Sequence, residues 1–162
     1  MTPRFDPADL PINPDLNFES RLWQAGILLV AGLDEAGRGA WAGPVAAAAV
    51  ILPVDDAVLQ RLSGVRDSKQ MSPSQREYWA DVIRLEALTW SVGFASQQEI
   101  DQMGILPCTR LAMQRSLDSL TNSPEHLLID ALFLRENKLS QTSLIKGDSR
   151  SLSIAAASVL AK

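Results

Sequence analysis

An α/β fold built on a five-stranded mixed sheet flanked by helices is predicted from three observations. Two apolar runs, residues 27–34 and 45–52, flank a short glycine-rich connection, which favours an antiparallel pair. Residues 88–95, LTWSVGFA, alternate as a third strand does, with Trp90, Val92 and Phe94 on one face. Two short apolar stretches, 127–129 ending at Asp130 and 142–146, follow helical or long connections and so can lie parallel to the first strand. In such a sheet, side chains at the C-terminal ends of parallel strands converge.

The elements follow in order. Residues 1–17 hold four of the nine prolines and no apolar periodicity, which predicts a mobile or extended arm ahead of a single domain over 18–162. Phe18, Leu22 and Trp23 stand at helical spacing and predict a short helix over 18–24, ended by Gly26. The second strand, VAAAAVIL, is apolar on both faces, and its small residues let helices pack close. After a loop with Asp55 and Asp56, Ser72 as N-cap and Pro73 at the first helical position predict a helix to about Glu86, with Trp79, Val82 and Ile83 on its apolar face.

Residues 97–101 predict a helical turn, and 105–120 a longer helix with Leu106, Leu111, Met113 and Leu117 as apolar positions and Pro107 tolerated in its first turn. Asn122-Ser123-Pro124 breaks it. His126, the only histidine, precedes the fourth strand and reads as a solvated loop residue. Past the fifth strand come Gly147-Asp148 and a last helix predicted over 149–162, rich in small residues around Ala155-Ala156-Ala157.

With 162 residues and 46% apolar content, one core is expected. Cys108 is the single cysteine, so no internal disulfide forms; it reads as a small core residue, and a cytoplasmic setting is expected. No apolar stretch approaches the length of a membrane span, so no membrane partner is expected. The net charge of −4 argues against a protein that coats nucleic acid generally, and any such contact must be local. Arg38, Arg66, Lys69, Arg76, Lys146, Arg150 and Lys162 could supply it, although each alone reads as ordinary surface charge.

The chemistry concentrates where the first strand ends. The run Ile27-Leu28-Leu29-Val30-Ala31 stops at Gly32, and Asp34-Glu35 follow within two residues. An unpaired buried carboxylate costs several kcal/mol or takes up a proton, so a cation belongs there, unless the pair is simply a solvated turn. Hard cations such as Mg²⁺ and Mn²⁺ take oxygen ligands and share a few carboxylates with substrate phosphate. Gly37 and Gly39, on either side of Arg38, expose backbone amides suited to a sugar-phosphate chain. Asp130 repeats the pattern of apolar strand running into acid. Asp148 reads equally as a fourth acid or as N-cap of the last helix. Together these residues predict a phosphodiester-processing site. A phosphate cradle for a nucleotide over 37–43 is a weaker reading, because no Gly-Lys-Ser/Thr follows and the loop leads into a strand.

The motifs occur in a recognisable order. Gly32-Leu33-Asp34-Glu35-Ala36-Gly37-Arg38-Gly39 with Ala42-Gly43-Pro44, then Asp67-Ser68-Lys69, Glu99-Ile100-Asp101, Leu128-Ile129-Asp130 and Lys146-Gly147-Asp148-Ser149, leading into Ser153-Ile154-Ala155-Ala156-Ala157-Ser158, closely resemble bacterial ribonuclease HII. The resemblance implies a ribonuclease H-like fold and a monomeric, Mg²⁺- or Mn²⁺-dependent endonuclease. Its substrates would be the RNA strand of RNA/DNA hybrids and single ribonucleotides in duplex DNA, cut to 5′-phosphate and 3′-hydroxyl ends. By the same resemblance, the family's metal-binding and catalytic acids fall on Asp34, Glu35, Asp130 and Asp148. Its 2′-hydroxyl contact falls on Gly37, Arg38 and Gly39, and its phosphate contact on Ser68 and Lys69, with Lys146 and Arg150 as further substrate-binding candidates. In a two-metal mechanism the ions lie about 3.5–4 Å apart and no histidine or nucleophilic serine is needed. Ala40-Trp41 replaces the family's usual proline and smaller aliphatic residue. The family also continues past the last helix with a helical segment whose tyrosine helps read the RNA/DNA junction, whereas this sequence stops at Lys162. The alternative expectation is therefore a nucleic-acid-binding module of the same fold with impaired turnover.

Overall fold

In the computed structural model, which describes residues 5–39 and 43–162, the chain is organised around strand β1, Val30–Ala36. Ala40, Trp41 and Ala42 of the glycine-rich loop lie outside the described residues, as do the first four residues of the arm. β1 pairs antiparallel with β2, Val45–Ile51, and parallel with β4, His126–Asp130. β3, Thr89–Ala95, joins β2 antiparallel, and β5, Ser140–Leu144, joins β4 parallel, giving the order β3-β2-β1-β4-β5. The expected mixed five-stranded sheet is present. β5 starts and ends two residues earlier than expected.

Two apolar layers cover the sheet. On one side, α6, Leu152–Ala161, packs against Val30, Ala48, Val50 and Leu128 together with α1, Asn17–Gln24, and α3, Pro73–Glu86. On the other, α5, Ile105–Asp118, covers Ala31, Leu33, Ala47, Ala49 and Ile129. All ten residues of α6 are buried. Its alanines allow the helix backbone to lie directly on the sheet: a Cβ built at Gly32 would fall 2.2 Å from the Ser153 carbonyl carbon. The remaining helices are short: α2, Val58–Arg61, and α4, Gln97–Met103.

Local signals account for the helix starts. Ser72 and Gln75 form a capping box at α3 with Pro73 in the first turn, and Ser96 and Glu99 form another that carries α4 two residues past the expected turn. His126 and the end of the arm depart from expectation. On β3, Trp90, Val92 and Phe94 share one face as expected, and it is the more exposed one, while Thr89, Ser91, Gly93 and Ala95 are buried. The reason is the closeness of α5, since a Cβ at Gly93 would lie 2.3 Å from the Ala112 carbonyl oxygen, so only small side chains fit beneath the helix. His126 is the first residue of β4 and is buried, with Nε2 2.9 Å from Thr142 Oγ1; burial lowers its pKa. The arm is tied down at its C-terminal end, where Leu16 is buried and Asp15 bridges to Ser151.

Candidate functional site

Strand alternation and register gather the acids. Successive β1 side chains point to opposite faces, so Asp34 lies on the α6 side with Gly32, and Glu35 on the α5 side. β1 and β4 run parallel with Leu33 beside Ile129, which places Asp130 alongside Asp34 at the same sheet end. Asp130 Oδ1 accepts a hydrogen bond from the Gly147 N–H at 2.6 Å, and this contact draws in the next residue, Asp148. A Cβ at Gly147 would press on Ile154 Cδ1 at 2.7 Å and on Asp130 Oδ1 at 3.2 Å, so glycine lets the turn close.

The turn Gly147–Ser149 also decides the role of Asp148. α6 begins only at Leu152, and its N-cap is Ser151, whose hydroxyl accepts from the Ile154 N–H. Asp148 is therefore free of the capping role. It is buried, as is Asp34, whereas Asp130 and Glu35 are half-buried. Burial raises Asp34 well above the ordinary carboxylate range, and the charges of Asp130, Glu35 and Asp148 add to it. Asp130 is raised by burial and held back by its bond from Gly147. Burial, then the charges of Asp67 and Asp130, push Asp148 up to about 6.

Asp67 is a fifth acid that sequence reasoning passed over. Its charge helps to raise the pKa of Asp148, so the two carboxyls face each other, and it also accepts from the Lys69 N–H at 2.9 Å. The available signal was its place beside Ser68 and Lys69. Lys69 is exposed, and its charge lowers the pKa of both Asp130 and Asp148, so it faces the acids. Lys146 is exposed in a left-handed conformation beside Gly147. Arg38 pairs with Glu35 at 3.2 Å. Gly37 has φ +92°, and Gly39 follows with no described atom within 4 Å of a Cβ built on it.

Two expected substrate contacts are engaged inside the protein. Ser68 is buried and its hydroxyl accepts from Ser158 of α6 at 2.9 Å, while Arg76 donates to the Ser68 and Met71 carbonyls and so braces the turn that carries Lys69. Arg150 lies over the rings of Phe5 and Phe18 and donates to the Ile145 carbonyl. Glu99 caps α4 and pairs with Arg115, a structural role.

The donor set fits a hard divalent cation. Every candidate ligand is a carboxylate oxygen, and Glu35 Oε2 is buried with no hydrogen-bond partner. Among the described residues, no group of three or more His, Cys, Asp or Glu side chains is arranged to hold a metal ion by itself. An open set suits Mg²⁺, which keeps waters and is completed by substrate phosphate instead of an all-protein cage. The raised pKa values give a pH dependence. Protons bound by the folded acids stabilise the metal-free protein at low pH, and this stability is lost as pH rises above about 4 through each raised value, about 6 for Asp148. A divalent ion replaces those protons, so saturating Mn²⁺ is expected to raise Tm by about 5–10 °C at pH 8 and by much less at pH 5. Equal increments at the two pH values in a thermal melt would remove these acids from metal binding.

A mixed five-stranded sheet in this strand order, flanked by helices on both faces, is the ribonuclease H-like fold. The ribonuclease H2 from Pyrococcus horikoshii OT3 superposes with a TM-score of 0.68 at 28% identity, over 82% of this chain and 69% of that one. Bst-RNase HIII, solved in complex with Mn²⁺, superposes with a TM-score of 0.64 at 26% identity, over 86% and 52% of the two chains. The family model for Ribonuclease HII matches residues 31–162. The Ribonuclease HII of Synechococcus sp. (strain JA-3-3Ab) is 53% identical over 156 residues, covering 95% of this chain and 69% of its own. The chain belongs to the ribonuclease HII family. It is a ribonuclease H type 2 endoribonuclease acting on RNA/DNA hybrids, and the family favours this over a binding module. Among the described residues, no helix is long and apolar enough to cross a membrane.

Proposed function

We propose that this endonuclease also cleaves at single ribonucleotides embedded in duplex DNA, leaving 5′-phosphate and 3′-hydroxyl ends, with Asp34, Glu35, Asp130 and Asp148 as ligands for Mg²⁺ or Mn²⁺. The observation that carries this reading is the gathering of Asp34, Asp130 and Asp148 at one sheet end, all with raised pKa, next to the unpartnered Glu35 oxygen. When bound, two such ions supply an activated water and neutralise the leaving 3′-oxygen. The protein's own residues position the substrate. Asp130, pinned by the Gly147 N–H, fixes the turn that holds Asp148. The backbone at Gly37 and Gly39 approaches the ribose and senses its 2′-hydroxyl, which distinguishes RNA from DNA. Lys69 and Lys146 contact phosphates, a sequence-independent and salt-dependent contribution. One chain supplies every residue named, so a monomer suffices.

The test is cleavage of a duplex containing one ribonucleotide, with Mg²⁺ or Mn²⁺ and with chelator, by wild type, Gly39→Ala and Lys69→Ala. Gly39 is the clean probe of sugar reading. A Cβ there meets no described atom, whereas at Gly37 it would face a positive φ and the Pro44 carbonyl oxygen at 2.8 Å. Gly39→Ala is expected to keep its Tm and duplex affinity while cutting the ribonucleotide about tenfold more slowly, a loss of about 1.4 kcal/mol. Lys69→Ala should instead weaken binding to every duplex and lower the salt slope by about one. Wild-type cleavage by Gly39→Ala would refute the sugar-reading role.

A further inference from the structure

Glu19 is a carboxylic acid buried on the inner side of α1, 1% exposed, and the reaction described above does not use it. One of its oxygens, Oε1, collects three hydrogen bonds from the segment that opens α6. The Ser151 and Ser153 hydroxyls each donate at 2.6 Å, and the Ser153 N–H donates at 3.0 Å. The same segment is held from either side. The Leu152 N–H donates to the Asp15 carbonyl at 2.8 Å, the Asp15 N–H donates to the Arg150 carbonyl at 3.4 Å, and Arg150 lies over Phe5 and Phe18. Residues from the N-terminal part of the chain thus grip 150–153, immediately after the turn that carries Asp148. The gripping residues, Phe5, Asp15, Phe18 and Glu19, precede the stretch that the family model matches, residues 31–162, whereas the gripped segment lies inside it.

A buried carboxyl group carries a large desolvation cost, and a serine or an apolar residue would fill the space under α1 without it. The arrangement makes physical sense if the acceptor does something that packing alone cannot. An oxygen that binds two hydroxyls and an N–H fixes the rotation of the first turn of α6, and with it the direction in which the preceding turn presents its side chains. Asp148 and Asp34 have no direct hydrogen bond to set their spacing, and their like charges push them apart. The spacing must be imposed by the backbone on which Asp148 rides.

We propose that Glu19 is a positioning residue: by anchoring Ser151 and Ser153 it holds Asp148 at the separation from Asp34 and Asp130 that a shared divalent cation requires. The proposal rests on the metal-ligand reading of those three acids. Outer-shell residues of this kind typically alter metal affinity 10–100-fold when removed.

The experiment measures Mn²⁺ binding to the substrate-free protein by calorimetry, alongside Tm and the Mn²⁺ concentration for half-maximal cleavage, in wild type, Glu19→Ala, Glu19→Gln, Asp148→Asn and Met113→Ala. Met113 is fully buried in the layer under α5, on the far side of the sheet from Glu19, and serves as a control for lost stability alone. Glu19→Ala is expected to weaken Mn²⁺ binding about tenfold and to raise the half-maximal concentration equally, with kcat at saturating Mn²⁺ largely preserved. Glu19→Gln keeps an oxygen acceptor and is expected to stay within about threefold of wild type. Wild-type Mn²⁺ affinity in Glu19→Ala overturns the proposal, as does an equal loss of affinity in Met113→Ala at an equal loss of Tm. If Glu19→Ala does not fold, Ser153→Ala removes one donor and is expected to weaken Mn²⁺ binding about threefold. An unchanged affinity there overturns the proposal as well. Asp148→Asn separates the two levels: normal Mn²⁺ binding in this variant means that the metal-ligand reading itself has failed, whereas weakened binding there with none in Glu19→Ala means that only the positioning role has.

Discussion

Asp34→Asn is expected to abolish cleavage, by roughly three orders of magnitude or more, while making the metal-free protein more stable. The two effects have one cause. Asp34 is buried at the centre of the sheet end, its pKa is raised first by burial and then by Asp130, Glu35 and Asp148, and nothing cationic touches it. A folded-state pKa above the unfolded value means stability that is present below about pH 4 and is lost as pH rises through the raised value. At neutral pH the wild-type, metal-free protein therefore carries a penalty that the neutral asparagine lacks. Removing ~1 kcal/mol of it would raise Tm by ~2–4 °C in a domain of this size. Adding Mn²⁺ should then stabilise wild type but not the variant. A loss of three decades in rate corresponds to ~4 kcal/mol of transition-state stabilisation, which is within what a lost metal ligand can account for. The measurements are single-turnover cleavage and thermal melts with and without Mn²⁺. Turnover within tenfold of wild type would remove Asp34 from the centre of the reaction, and an unchanged or lowered metal-free Tm would contradict the repulsion argument.

Gly32→Ala should be the most damaging single methyl group that can be added to this protein. The new Cβ would lie 2.2 Å from the Ser153 carbonyl carbon, and 2.5 Å from both the Ile154 nitrogen and the Ser153 oxygen. These are main-chain atoms at the start of a fully buried helix, so no side-chain rotation relieves the contact. β1 and α6 must move apart, and the apolar layer between them opens. Overpacking of this kind costs ~3 kcal/mol or more, a fall in Tm of ~6–12 °C. Function should suffer beyond stability, because Asp34 lies two residues along the same face of β1 and Asp148 precedes the displaced helix. Mn²⁺ affinity is expected to fall even at temperatures where the variant is fully folded. Circular dichroism melts and Mn²⁺ titration test this together. A variant melting within ~2 °C of wild type would show that the spacing of strand and helix adapts freely.

These two positions also mark what can be read in the sequence. Asp34 stood out because an apolar run that stops at paired acids is followed at once by Gly37 and Gly39, which favours a site over a solvated turn, and Asp130 repeats the pattern. The helix starts at Ser72 and Ser96 are set by local capping chemistry, which is written in adjacent residues. Asp148 was ambiguous because aspartate is a good N-cap. What excluded the cap was Ser151, three residues on, which takes that role while the Gly147–Ser149 turn sets Asp148 near the other acids. The orientation of β3 could not be read, since alternation gives two faces without saying which is covered. The larger face, Trp90 and Phe94, is the exposed one because α5 sits too close for large side chains. Glu19 was hidden for a different reason: its hydrogen-bond donors lie more than a hundred residues away. A faint signal existed, because Glu19 stands four residues before Trp23 and so shares the helix face that packs inward. Ser68 and Arg150 show the converse: polar residues beside the site that also bond within the protein, through partners distant in the sequence.

The position of β1 between an early neighbour and a late one bears on how the enzyme comes into being. β2 follows β1 almost at once, but β4 pairs with β1 only after a loop of about a hundred residues has closed, and α6 docks later in the chain still. Such long-range, partly parallel connectivity belongs to slow folders, in which the entropy of closure is spent before the contacts that repay it are made. A nascent or partly unfolded chain can hold the β1–β2 hairpin, with Asp34 and Glu35 in place, and still lack Asp130 and Asp148. On the proposed role of these four acids, nuclease chemistry waits for molecules that have completed their topology.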